Sequence, residues 1–100
     1  MDIKPNKVFV YGILQSPEQK DATLNGYIRF FRGHASISKS RGSKIRGKLI
    51  ENVTKEMMEE FDRIEGVKQN YYHRFIVTVE TEEGTEHEAW VYQQVKDKEE

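Results

Sequence analysis

Apolar and polar positions alternate with a period of two along most of this chain and switch once to a helical period. Residues 7–11, Lys-Val-Phe-Val-Tyr, are the clearest early strand, with Val8 and Val10 on one face and Phe9 and Tyr11 on the other. Apolar side chains on both faces predict a central strand, covered from two sides. It ends at Gly12, followed by Ile13, Leu14 and a polar loop over 15–21. Short strands are predicted over 26–31 and 34–38, separated by a turn at Arg32-Gly33, and over 45–50 after a loop at Ser40-Arg41-Gly42-Ser43. Gly47 inside that last run marks a bulge or a close backbone approach. Two longer strands, 72–80 and 86–93, join through 81–85 as a hairpin, with Val77, Val79, Ala89 and Val91 supplying core. Trp90 is read as a half-buried packing residue rather than a stacking platform for a ligand.

The helical period falls on residues 54–65. Thr54 caps the start, Val53 and Met58 match a hydrophobic staple, and Gly66 supplies the stop. At 100° per residue, with Met58 at zero, Phe61 lies at about −60°, Met57 at about −100° and Ile64 at about −120°. These four form the apolar stripe expected to face the core, packed on the strand 7–11. Glu65 falls at about −20°, between Met58 and Phe61, which aims a carboxylate along the buried face at the last helical turn. Partial desolvation and the negative end of the helix dipole are both expected to raise its pKa there, as general acid/base work near neutral pH requires. A side chain bent out to water at a frayed end is the competing reading, equally open on the helical pattern alone.

Composition narrows the class. One hundred residues are read as one domain, with a core over 7–93 and a solvated tail over 96–100. The hydrophobic fraction is 36%, but aromatic residues recur within the strand-like runs, which argues for a folded globule. There is no apolar run of about 18 residues and no N-terminus resembling a signal peptide, so neither a membrane span nor secretion is expected. The absence of cysteine excludes disulfides and thiol chemistry and fits a cytoplasmic protein. His34, His73 and His87 lack metal-ligand spacing, and no metal site is expected.

The net charge of −1 conceals a segregation. Residues 22–50 contain no acidic side chain but carry Arg29, Arg32, Lys39, Arg41, Lys44, Arg46 and Lys48, while the rest of the chain is strongly acidic. Such a pattern fits an anion-binding face, nucleic acid included, or two solvated surfaces that attract each other within or between protomers. The second reading is favoured, and nucleic acid is not the expected partner, because Tyr27, Phe30 and Phe31 are more simply strand core than exposed stacking groups.

Taken in order, five pieces of the chain resemble the gamma-glutamylcyclotransferase-like family, in particular its short gamma-glutamylamine cyclotransferase branch. They are Val8-Phe9-Val10-Tyr11-Gly12-Ile13-Leu14 at the strand end, Ile45-Arg46-Gly47-Lys48-Leu49 before the helix, Phe61-Asp62-Arg63-Ile64-Glu65-Gly66, Tyr72-His73-Arg74, and Ala89-Trp90-Val91-Tyr92. No single piece is specific; five in the family order are. The resemblance implies an α+β fold, a compact mixed β-barrel of about six strands with one main helix packed against it. It implies a substrate cavity at the turn Tyr11, Gly12, Ile13, Leu14, with Tyr72 and Tyr92 as further contacts and Glu65 as the residue that moves the proton. The implied reaction closes a gamma-glutamyl amine or peptide to 5-oxoproline and expels the amine, without metal or cofactor. The implied partner is the small gamma-glutamyl substrate, on a monomer or homodimer. Ile13 departs from the family's frequent Ser or Thr, and the segments between motifs are short. The alternative function is therefore a non-catalytic binding module that uses the same pocket for a small anionic or amino-acid-like ligand. Tyr72 and Arg74 read either as substrate contacts or, preferably, as packing and ion-pair residues.

Overall fold

In the computed structural model the described residues are 4–12 and 15–95, without the side chains of Arg32 and His34. The expected tail over 96–100 lies outside them, as do Ile13 and Leu14. The elements follow as β1 (Val8–Val10), β2 (Lys20–Arg32), β3 (His34–Ile50), α1 (Lys55–Glu65), β4 (Tyr72–Thr81) and β5 (Glu86–Gln94). The strands close into a barrel in the order β1-β3-β2-β4-β5. All neighbours are antiparallel except β1 and β5, which run parallel with Val8 opposite Trp90 and Phe9 opposite Val91. The expected mixed barrel with one helix is therefore present, built from five strands rather than about six.

The strand count differs because the polar segments do not interrupt pairing. Residues 20–25 pair with 44–49, so β2 begins inside the stretch expected to be loop. The expected loop at 40–43 is instead carried within β3 as a bulge, where the register jumps between Asn25 opposite Lys44 and Tyr27 opposite Lys39. Beyond the bulge, 27–32 and 34–39 form a two-stranded arm, whereas β2 meets β4 only at Ala22 and Thr23; Phe31, expected in the core, is 75% exposed on this arm, past the rows that β4 covers.

Strand β1 is central and its two faces enter two different layers. Phe9 and Tyr11 point into the barrel, where they join Leu24, Ile37, Leu49, Val77, Val79, Ala89 and Val91. The four hairpin residues expected in the core are all there. Val8 and Val10 point outward and pack with Val53, Tyr72 and Tyr92 beneath the helix. Gly47 stands where β3 crosses β1: a β-carbon there would lie 2.4 Å from the Val10 carbonyl oxygen and 2.8 Å from Phe9 Cζ. No side chain fits that approach, so the glycine lets β1 sit deep in the wall.

Helix α1 begins and ends as its sequence predicts. The Met57 amide donates to Thr54 Oγ1 at 3.1 Å. At the other end Gly66 adopts φ 72°, its N–H donates to the Arg63 carbonyl and the Val67 N–H donates to the Asp62 carbonyl, a Schellman closure. Its predicted stripe is corrected by half. Met58 and Phe61 pack against the layer with Val8 and Val10, but Met57 and Ile64 are 37% and 44% exposed. The helix lies along the outside of a curved wall, so only the arc nearest β1 and β5 touches the barrel.

Candidate functional site

The site forms where β1 stops. Past Val10 the chain leaves the wall at Tyr11 and Gly12, and the Gln15 N–H closes a turn on the Gly12 carbonyl at 3.2 Å. The edge of β3 then faces the end of β5 without a strand between them. Side chains bridge this seam: Gln93 Nε2 donates to the Ile37 carbonyl and the Gln94 amide donates to Ser36 Oγ, both at 3.0 Å. Tyr72 Oη donates to the Ala35 carbonyl at 2.5 Å. A backbone edge that would otherwise lack partners is thus satisfied one residue at a time.

Three tyrosines line this region, and Glu65 acts on all of them. Tyr11 is buried, and its hydroxyl donates to the Tyr92 carbonyl at 2.5 Å. Burial chiefly pushes its pKa far up, with smaller upward contributions from Tyr72 and the Glu65 charge and a downward one from Arg29. Tyr72 is raised by burial and then by Glu65. Tyr92 is raised by burial first, then by its hydrogen bond to Asp62, with Glu65 adding to the same direction and Arg74 opposing it. All three phenols therefore stay neutral donors at physiological pH. Glu65 itself is half-buried at the helix end, unlike the exposed Ile64 beside it.

Of the residues expected at the site, Glu65, Tyr11, Tyr72 and Tyr92 are brought together within electrostatic reach. Gly12 closes the same corner: a β-carbon there would touch Ala35 Cβ at 3.8 Å. Ile13 and Leu14 lie outside the described residues. Arg74 takes the ion-pair role, its Nε and Nη2 donating to the two carboxylate oxygens of Asp62 at 2.9 and 3.2 Å while its guanidinium lies 4.3 Å from the Trp90 ring centre. Trp90 is a half-buried packing residue, its indole N–H donating to the Pro5 carbonyl at 3.0 Å.

Asp62 had no role in the sequence reading, yet it holds the site's framework. It accepts from Tyr92 Oη at 2.5 Å as well as from Arg74, tying α1 to β4 and β5 one turn before Glu65. The signal was present: Asp62 and Glu65 are three apart and share a helical face. Its partners, 12 and 30 residues away, were not visible.

Part of the charge segregation is met locally. Lys48 Nζ pairs with Asp21 at 2.5 Å, and Lys44 and Arg46 share with Glu80 and Glu82 an open groove of about 410 Å³ at the end of β4 remote from Tyr72. Among the described residues no group of three or more His, Asp or Glu could hold a metal ion, and no helix is long and apolar enough to cross a membrane.

Comparison with known proteins agrees with this architecture. Residues 8–100 match the family model described as gamma-glutamyl cyclotransferase, AIG2-like. AIG2-like protein A of Arabidopsis thaliana is 33% identical over 95 residues, covering 81% of this chain and 56% of that protein. The chain thus spans a little over half the length of this curated relative. A solution structure of an Arabidopsis thaliana protein is 29% identical with a TM-score of 0.79, covering 94% of this chain and 64% of that one. A structure of a gamma-glutamyl cyclotransferase shares the fold at 23% identity and TM-score 0.72, over 90% of this chain and 66% of that one.

Proposed function

This chain belongs to the gamma-glutamyl cyclotransferase, AIG2-like family, and from that premise we propose that it is a small cyclotransferase releasing 5-oxoproline from a gamma-glutamyl amine or peptide, with Glu65 as general acid and base. The observation that carries the reading is the convergence of Glu65 with Tyr11, Tyr72 and Tyr92 at the end of β1, where side chains rather than a strand ladder join β3 to β5.

The chemistry suits a site whose nucleophile arrives with the substrate. The Glu65 carboxylate takes a proton from the substrate's alpha-ammonium group. The freed amine attacks the gamma-carbonyl carbon, a carbon–nitrogen bond forms, and a five-membered ring closes with negative charge on the former carbonyl oxygen. Backbone N–H groups at the Tyr11–Gly12 corner are assigned to that oxygen. The intermediate collapses as Glu65 passes its proton to the leaving nitrogen and that carbon–nitrogen bond breaks; Glu65 then carries the second proton of the ring nitrogen to the expelled amine, which departs as an ammonium ion and leaves the neutral lactam. No water or cofactor enters the balance. Folding the glutamyl chain so that its amine meets its own carbonyl turns binding into proximity. Tyr11 and Tyr92, kept neutral by burial, add no competing charge near the carboxylate.

The test is turnover to 5-oxoproline by Glu65→Gln against the parent protein, on a panel of gamma-glutamyl amines and peptides. The substitution keeps the shape and removes the base, so a loss of about 10² to 10⁴ in rate is expected, with the thermal midpoint unchanged or slightly raised. Near-normal turnover would remove Glu65 from the mechanism. A folded parent protein that binds the panel without forming 5-oxoproline would establish the binding module instead.

A further inference from the structure

The cations of the basic segment do different things. Lys48 is paired and Lys44 and Arg46 lie at the remote groove, but none of the ion pairs among the described residues includes Arg29. Its place in the arm is set by register. Arg29 stands opposite Ile37, and residues directly opposite in an antiparallel pair project to the same face. Ile37 is buried in the barrel cluster, so that face is the one turned towards the barrel interior. The next cross-strand row on it is Phe31 opposite Ala35. Ala35 is the residue that meets Gly12 and whose carbonyl accepts from Tyr72. Two residues along a strand span about 6.6–6.8 Å, a distance an extended arginine side chain covers. On this geometry the guanidinium reaches the Tyr11–Gly12 corner. The same proximity shows in the Tyr11 phenol, on which Arg29 acts in the direction expected of a nearby positive charge.

What Arg29 would meet there follows from exposure. Tyr11 and Tyr92 are buried, whereas Arg29 is exposed and Phe31 is 75% exposed, so the arm supplies the lip of the site. A substrate whose glutamyl end occupies the floor presents its amine half to this lip. An anion on that half would be repelled by Glu65 unless a cation balanced it. Arginine does so with two parallel N–H donors that match a carboxylate.

We propose that Arg29 is an anion subsite for the expelled half of the substrate, selecting gamma-glutamyl compounds whose leaving amine carries a free carboxylate, as in an amino acid or peptide, over simple or cationic amines. Phe31 beside it covers the apolar part of the same group. The proposal rests on the cyclotransferase reading for its substrate and adds the class of leaving group.

The test compares gamma-glutamyl-alanine with gamma-glutamyl-alaninamide, which differ only in the carboxylate of the leaving half. Each is measured as kcat/KM on the parent protein, Arg29→Gln and Arg29→Lys. The parent is expected to prefer the carboxylate by about tenfold, a ratio that falls with added salt. Arg29→Gln should bring the ratio to about one and Arg29→Lys should retain part of it. A parent ratio near one, or a ratio that survives Arg29→Gln, would overturn the assignment. So would an equal loss on both compounds, which would place Arg29 on the glutamyl carboxylate. If the parent turns over neither compound, the cyclotransferase reading has failed, and calorimetric titration of the same pair decides the subsite. Tighter binding of the carboxylate form that Arg29→Gln abolishes supports it; equal or absent binding overturns it.

Discussion

The two faces of β1 hold the molecule together by different means. Inside the barrel, Phe9 and Tyr11 stand among aliphatic side chains from the other four strands, and the Tyr11 hydroxyl finds a backbone carbonyl. Outside, Val8 and Val10 lie beneath a helix that contributes no fully buried residue. There the apolar contact of Met58 and Phe61 is supplemented by Asp62, gripped by Arg74 and Tyr92. The inner layer is stabilised by area removed from water, which is insensitive to direction. The outer layer depends on directional bonds, and these set the rotation and height of the helix that carries Glu65. A barrel of this kind tolerates changes in side-chain shape on its inner face at a cost in stability, while the outer face converts small displacements into changes at the site.

The largest expected effect is on the inner face. Phe9 is 1% exposed and touches β3 at Gly47, so Phe9→Ala should cost about 3–5 kcal/mol in denaturant unfolding. A loss under about 1 kcal/mol would mean that the barrel interior collapses around the gap and is not the rigid layer described. Asp62→Ala should cost less, about 1–3 kcal/mol, because both members of the ion pair remain about a quarter exposed and water replaces part of what is lost. It should nonetheless reduce turnover more than Phe9→Ala does at a temperature where both variants are folded. The reverse order would break the division of labour between the two faces. The smallest effect is in pH dependence. The pKa values of Tyr11, Tyr72 and Tyr92 are raised in the folded state, so below about pH 10 they are protonated in both states and stability is independent of them. Above that, the unfolded chain releases protons that the native state retains, and stability falls by up to about 1.4 kcal/mol per pH unit for each tyrosine until its folded pKa is reached. Tyr92→Phe should flatten the slope of chemical stability between pH 10 and 11.5, as followed by denaturant midpoints at about these values. An unchanged slope would remove Tyr92 from the alkaline transition.

Local chemistry alone set several features of this chain. The alternation in 7–11 determined that β1 has two buried faces, because apolar side chains on both sides of a strand leave no side for water. Thr54 and Gly66 determined where α1 starts and stops, since capping bonds involve only neighbours in sequence. Alternating valines in the last hairpin determined its inner face for the same reason. The five-piece pattern carried the family. Tertiary structure decided the rest. Residues 20–50 become two long strands because each polar stretch finds a hydrogen-bonding partner across the ladder, a partner that no local window displays. Met57 and Ile64 stay exposed because a helix on a convex wall has a narrower contact arc than its apolar stripe. Asp62 acquires Arg74 and Tyr92, 12 and 30 residues away in sequence, only when the helix lies across β4 and β5. Short-range bonds are written in adjacent residues; the direction in which a charged side chain faces is decided by which strands close around it.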